Sequence, residues 1–172
     1  MRAFVFGFLA CAIFFAAAAP ASAQDLVRQT DGKWLVTTPE SDPPGRDDFE
    51  KSLIQVQSEH YDKLVYVMKV GTRKTRQEFD MARIAQVYSS PKPSAWIEAA
   101  GALEAGELNE AIAKFEALTT NKSNRNWVRT YSFGNLLMIH KALGQWNEVI
   151  AAADKLSRMF PKSRFVPDSI ID

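Results

Sequence analysis

The sequence predicts an all-α protein of stacked helical hairpins, with a short β-hairpin at its N-terminal end, and three observations carry that expectation. Two segments of the C-terminal half superpose at a spacing of 38 residues. Their apolar positions recur at three- and four-residue steps, as the face of a helix requires. Near the start, an Asp-Gly pair divides two short β-prone segments.

Residues 1–23 carry one positive charge at Arg2, an apolar run from Ala3 to Ala19, a helix-breaking Pro20 and then Ala21-Ser22-Ala23. This is the layout of a secretory signal cleaved after Ala23, and the run sits at the short end of what spans a bilayer, which leaves an uncleaved anchor as the alternative. The expected location is therefore periplasmic or secreted. Cys11, the one cysteine, lies inside that run, so the exported chain carries no disulfide and no thiol nucleophile. Of the 21 basic residues only Arg2 precedes position 24, whereas all 20 acidic ones follow it, so the remainder is neutral. A nucleic-acid binder announces itself by a basic excess that is absent here.

Residues 24–45 read as a β-hairpin and linker. LVRQT and KWLVTT flank Asp31-Gly32, and three prolines and a glycine follow between Thr38 and Gly45. In residues 46–93, Phe49, Leu53, Val56, His60, Leu64 and Met68 keep helical phase and predict a helix, although LVYVMKV over 64–70 is strand-like in composition. A second helix is expected from Thr75 to Tyr88, ended by the prolines of Ser89–Pro93. In residues 94–163, Gly106 falls on Gly144, Leu108 on Trp146, Ala111 on Val149, Ile112 on Ile150, Phe115 on Ala153 and Leu118 on Leu156. A further helix precedes each glycine, over 95–105 and 127–143. Phe165, Val166, Ile170 and Ile171 of the 164–172 tail are expected either to fold back or to meet a partner.

The segments SAWIEAAGALEAGELNEAIAKFEAL and TYSFGNLLMIHKALGQWNEVIAAADKLSRMFP resemble the tetratricopeptide repeat, with Gly106 and Gly144 at the interhelix turns and Pro161 at the helix-stopping position. The resemblance, to the small exported envelope type of that family, implies a right-handed α-solenoid with residues 46–93 as a degenerate repeat or cap. It departs from the pattern at Leu137 and Val149, where the family has smaller residues, and in the longer TTNKSNRN connection. It also implies a partner-binding groove lined by Trp96, Ala100, Leu103, Tyr131, Asn135, Met138 and Lys141. Tyr and Trp offer contact area at low entropic cost, and Met138 adapts in shape.

Chemistry-bearing patterns are sparse. His60 and His140 stand far apart without carboxylates at ligand spacing, the glycines form no phosphate loop, and Ser89-Ser90-Pro91-Lys92 has S-x-x-K spacing but a proline at a helix boundary. Asp47-Asp48 reads as helix N-terminal charge, and Glu104 and Glu107 as solvated turn residues. No catalytic residue, metal ligand or cofactor is expected. Two basic clusters, Lys69–Arg76 and Lys122–Arg129, suit solvated turns or peripheral contact with anionic membrane or envelope polymer, with the second the better candidate. The functional expectation is an exported adaptor or scaffold that binds a protein or peptide in assembly, secretion or maturation. The alternatives are a structural subunit docking through its C-terminal tail, and a hydrolase using Glu or Asp as acid and base.

Overall fold

The computed structural model describes residues 24–166; residues 1–23, where the signal and its cleavage site are expected, and residues 167–172, which hold Ile170 and Ile171 of the tail, lie outside the described residues. The order of elements is β1 (Gln24–Gln29), α1 (Arg46–Lys51), β2 (Ile54–Glu59), β3 (Lys63–Val70), β4 (Arg73–Asp80), a 3-10 turn (Met81–Arg83), β5 (Ile84–Ser90), α2 (Ser94–Glu104), α3 (Leu108–Thr120), α4 (Asn126–Ala142) and α5 (Trp146–Met159). The strands form one antiparallel sheet in the order β4-β3-β2-β1-β5, so β5 returns beside β1, and β4 and β5 are the two edges.

The fold is therefore mixed α/β, and both the all-α expectation and the tetratricopeptide solenoid are corrected. The two long helices expected between 47 and 88 are replaced by strands, with helical backbone confined to α1 and the 3-10 turn Met81–Arg83. The physical reasons are local. A bulge between Val56 and Ser58 breaks the period-two alternation of β2, which leaves apolar spacings that mimic a helix. In β3, consecutive Leu64, Val65 and Tyr66 are all buried, so the strand reads as a continuous apolar run without alternation. β4 is rich in Arg, Lys, Gln and Glu, which favour helices intrinsically, yet it pairs with β3 along all eight residues.

The Asp31-Gly32 turn does form. Gly32 takes φ +83°, Asp31 Oδ1 accepts the Lys33 N–H at 3.0 Å, and Leu35 N donates to Val27 O at 2.8 Å. Its second arm is short, with a single bridge between Arg28 and Trp34. The proline-rich segment that follows is fastened to α1, because the buried Asp48 carboxylate accepts from Glu40 N, Ser41 Oγ and Gly45 N.

Residues 94–159 fold as two helical hairpins, α2–α3 and α4–α5, whose turns match in detail. Gly106 and Gly144 adopt φ +76° and +68°; Glu107 N donates to Ala102 O, and Gln145 N to His140 O, both at 2.9 Å. Only glycine takes this left-handed conformation at low cost. The 38-residue repeat is thus a repeat of helical hairpins set beside a sheet. Among the described residues three apolar clusters result: Val27, Ile54, Val56, Leu64 and Tyr66 in the sheet, Ala99, Ala111, Phe115, Val128, Leu136 and Ile139 between the helices, and a small one of Phe133, Leu156 and Val166 beside α5.

Candidate functional site

The sheet and the helices meet at two polar clamps. β1 and β2 share a single paired position, Asp25 with Ile54, and then separate. In the gap, the Asp25 carboxylate accepts the Val56 N–H at 2.6 Å, and the Arg125 guanidinium, reaching from the entry to α4, donates from Nη2 to Asp25 Oδ2 at 2.6 Å and to Val56 O at 3.2 Å. The pair supplies the hydrogen bonds that a neighbouring strand would otherwise make. Asp25 is 0% exposed.

The second clamp lies at the end of β2. Glu59 Oε2 accepts from Tyr131 Oη of α4 and from Arg164 Nη1, both at 3.0 Å. The segment after α5 runs alongside, with a bridge between His60 and Ser163 and a hydrogen bond from Tyr61 N to Lys162 O at 3.0 Å. Phe165 stacks edge-on against Tyr131 at 4.8 Å, in space that Gly134 leaves open, since a Cβ there would stand 3.0 Å from the ring. Val166 packs with Phe133 and Leu156. The described part of the tail therefore folds back.

Burial raises the Glu59 pKa, against the lowering influence of Arg164 and Tyr131, and also raises that of the Tyr131 hydroxyl, which stays a hydrogen-bond donor. Burial lowers the His60 pKa and favours the neutral imidazole. A carboxyl raised in the native state holds its proton more tightly folded than unfolded. Its favourable contribution is full below the ordinary carboxylate range and fades as pH rises through the native value. Urea titrations of wild type and Glu59→Gln from acid to neutral pH are expected to show the difference in unfolding free energy moving against the wild type; a pH-independent difference would contradict this.

Between the clamps and β5 opens a cleft of about 520 Å³. Gln86–Ser90 form one wall, Pro43, Pro44 and Phe49 another, and Trp96, Trp127 and Tyr131 the third, with Glu59 and Lys92 at its margins. The aromatic wall is an edge-to-face cluster: Trp96 lies 5.4 Å from Trp127 and 6.4 Å from Tyr131, and Phe115 supports Trp96 from below at 5.5 Å. Tyr88 of β5 packs on Trp34 at 5.5 Å. The buried Trp127 indole N–H has no partner among the described residues.

Of the seven residues expected to line one groove, the structure brings Trp96 and Tyr131 together at this cleft. Leu103 packs on the helical core, Ala100 and Asn135 are half-buried on α2 and α4, and Met138 and Lys141 line a separate apolar groove between α4 and α5, together with Leu137, Val149 and Ile150. The sheet explains the division, because β2 packs on the face of α4 that the groove required. Sequence reasoning missed Trp127, Glu59 and all of β5. The available signal was the absence of charge in IAQVYSS beside the heavily charged RKTRQEFD.

Comparison with known proteins found no matching family, no similar curated protein and no similar solved structure. Membership of the tetratricopeptide family thus has no support from either the fold or the comparisons. Among the described residues, no cluster of three His, Cys, Asp or Glu side chains is arranged to hold a metal, and no helix is long and apolar enough to cross a membrane.

Proposed function

We propose that the protein is an exported binding module of the cell envelope, and that its ligand is an extended segment of another protein, taken up as an added strand along β5. One observation carries this reading: β5 is an edge strand with no charged residue, its one neighbour among the described residues is β1, and it opens on the aromatic-walled cleft. Exposed edges are aggregation hazards that proteins usually blunt with charge. The other edge, β4, is blunted in this way, with Arg73, Lys74, Arg76, Glu78 and Asp80. An unblunted edge beside Trp96, Trp127 and Tyr131 supplies main-chain hydrogen bonds for affinity and side-chain pockets for specificity, the two components of strand addition.

Binding is favoured over acid–base hydrolysis because the cleft margin holds one carboxylate, Glu59, whose Oε2 is already engaged by Tyr131 and Arg164. Permanent docking through the tail is disfavoured because Phe165 and Val166 pack internally. Export rests on the signal-like residues 1–23. The test is panning of a phage-displayed library of linear peptides on residues 24–172. Selected peptides are expected to alternate apolar residues, and the variant Gln86→Lys, Ser89→Lys is expected to bind them at least about tenfold more weakly at unchanged melting temperature. Equal binding by the variant would reject the reading.

A further inference from the structure

The two basic clusters have opposite fates. In Lys122–Arg129, Arg125 is held by Asp25, while Arg129 donates to Thr119 O at 3.1 Å and lies over the Phe160 ring at 4.8 Å. In Lys69–Arg76, which forms the β3–β4 hairpin, Lys69, Arg73, Lys74 and Arg76 are all exposed, and none of the four makes an ion pair among the described residues.

Lys69 stands directly opposite Lys74, and Val67 opposite Arg76. Because strand side chains alternate, Lys69, Lys74 and Arg76 project from one face of the ribbon at neighbouring positions. Like charges placed directly across a ladder destabilise it. The acid nearest along that face, Glu78, is bound to Lys63 at 2.8 Å. At the tip, beside the Gly71 turn, Val70 pairs with Arg73, lies on the other face of the ribbon from Lys69 and is 59% exposed. A ribbon with three unneutralised cations on one face and an apolar residue at its end combines electrostatic attraction with shallow apolar insertion, the pairing that an anionic lipid surface selects. A soluble polyanion has no use for the apolar tip.

We infer that the β3–β4 hairpin docks end-on, tip leading, on an anionic phospholipid bilayer, with Val70 at the tip entering the interface and Lys69, Lys74 and Arg76 contacting headgroups. This surface is independent of the strand-addition reading, since β4 and β5 are opposite edges of the sheet.

The test is co-sedimentation of residues 24–172 with vesicles of phosphatidylglycerol and phosphatidylcholine, with pure phosphatidylcholine and free heparin as controls. Binding to the anionic vesicles alone is expected, with release by added salt. At about fivefold per cation near the surface, Lys69→Gln, Lys74→Gln, Arg76→Gln is expected to weaken it on the order of a hundredfold. Val70→Ser is expected to weaken it without altering its salt dependence, and circular dichroism checks that each variant folds. Equal binding to neutral vesicles, equal binding by the triple variant, or capture by heparin without vesicle binding would each overturn the inference.

Discussion

Arg125→Ala is expected to lower the unfolding free energy by about 3–5 kcal/mol, measured by urea denaturation of residues 24–172, because it strands a carboxylate in the interior. Asp25 is 0% exposed, and Arg125 is its cation. The guanidinium also donates to Val56 O, so the substitution removes the group that closes the gap between β1 and β2. Arg125→Lys keeps a cation beside Asp25 and is expected to recover only part of the loss, since Nη2, the one guanidinium nitrogen that meets both Asp25 Oδ2 and Val56 O, gives way to an ammonium on a shorter stem. Replacing Asp25 and Arg125 together by apolar residues of similar volume is expected to cost much less than Arg125→Ala alone, because no charge is then left buried. A loss below about 1 kcal/mol for Arg125→Ala would place the pair among ordinary surface bridges.

Phe115→Ala is expected to cost a similar amount, about 3–5 kcal/mol, by a different route. Phe115 is fully buried at the centre of the helical core, and its ring supports Trp96 edge-on. Truncation opens a void beneath Trp96, so the aromatic wall of the cleft loses its backing along with the transfer energy of the ring. The effect is expected in the melting temperature and in the near-ultraviolet circular dichroism of the tryptophans. Phe115→Leu, which retains most of the volume, is expected to keep most of the stability. Loss of stability with an unchanged near-ultraviolet spectrum would show that the tryptophan cluster is held by Trp127 and Tyr131 without help from Phe115.

The helical half was legible because its signals are local. Gly106 and Gly144 mark left-handed turns, and the apolar steps between them follow the 3.6-residue period. Asp31-Gly32 was legible for the same reason. The sheet was not, since its strands are defined by partners distant in sequence: β1 pairs with β5 across some sixty positions, and nothing near Ile84 announces this. The bulge at Val56–Ser58 and the doubly buried Leu64–Tyr66 stretch removed the alternation that would have marked β2 and β3. Of the candidate site, Trp96 and Tyr131 were named only through the groove positions that the tetratricopeptide resemblance implies, which the fold does not bear out; the two rings meet around Trp127, which no reading of the sequence singled out. Asp25–Arg125, 100 residues apart, and Glu59–Arg164, 105 apart, are products of the tertiary fold. Charge content pointed to both Lys69–Arg76 and Lys122–Arg129, and the longer TTNKSNRN connection favoured the second; the contacts reverse that order, because Arg125 and Arg129 are engaged while the first cluster makes no ion pair among the described residues.

An extended segment added to β5 must protect that strand, and backbone amide hydrogen exchange of residues 24–172 with and without a panned peptide measures this protection. Strand addition requires slowed exchange at alternate amides of Ile84–Ser90, those facing away from β1, with the β4 amides unchanged. Protection confined to the α4–α5 groove around Met138 and Ile150, or absent from β5, would contradict it.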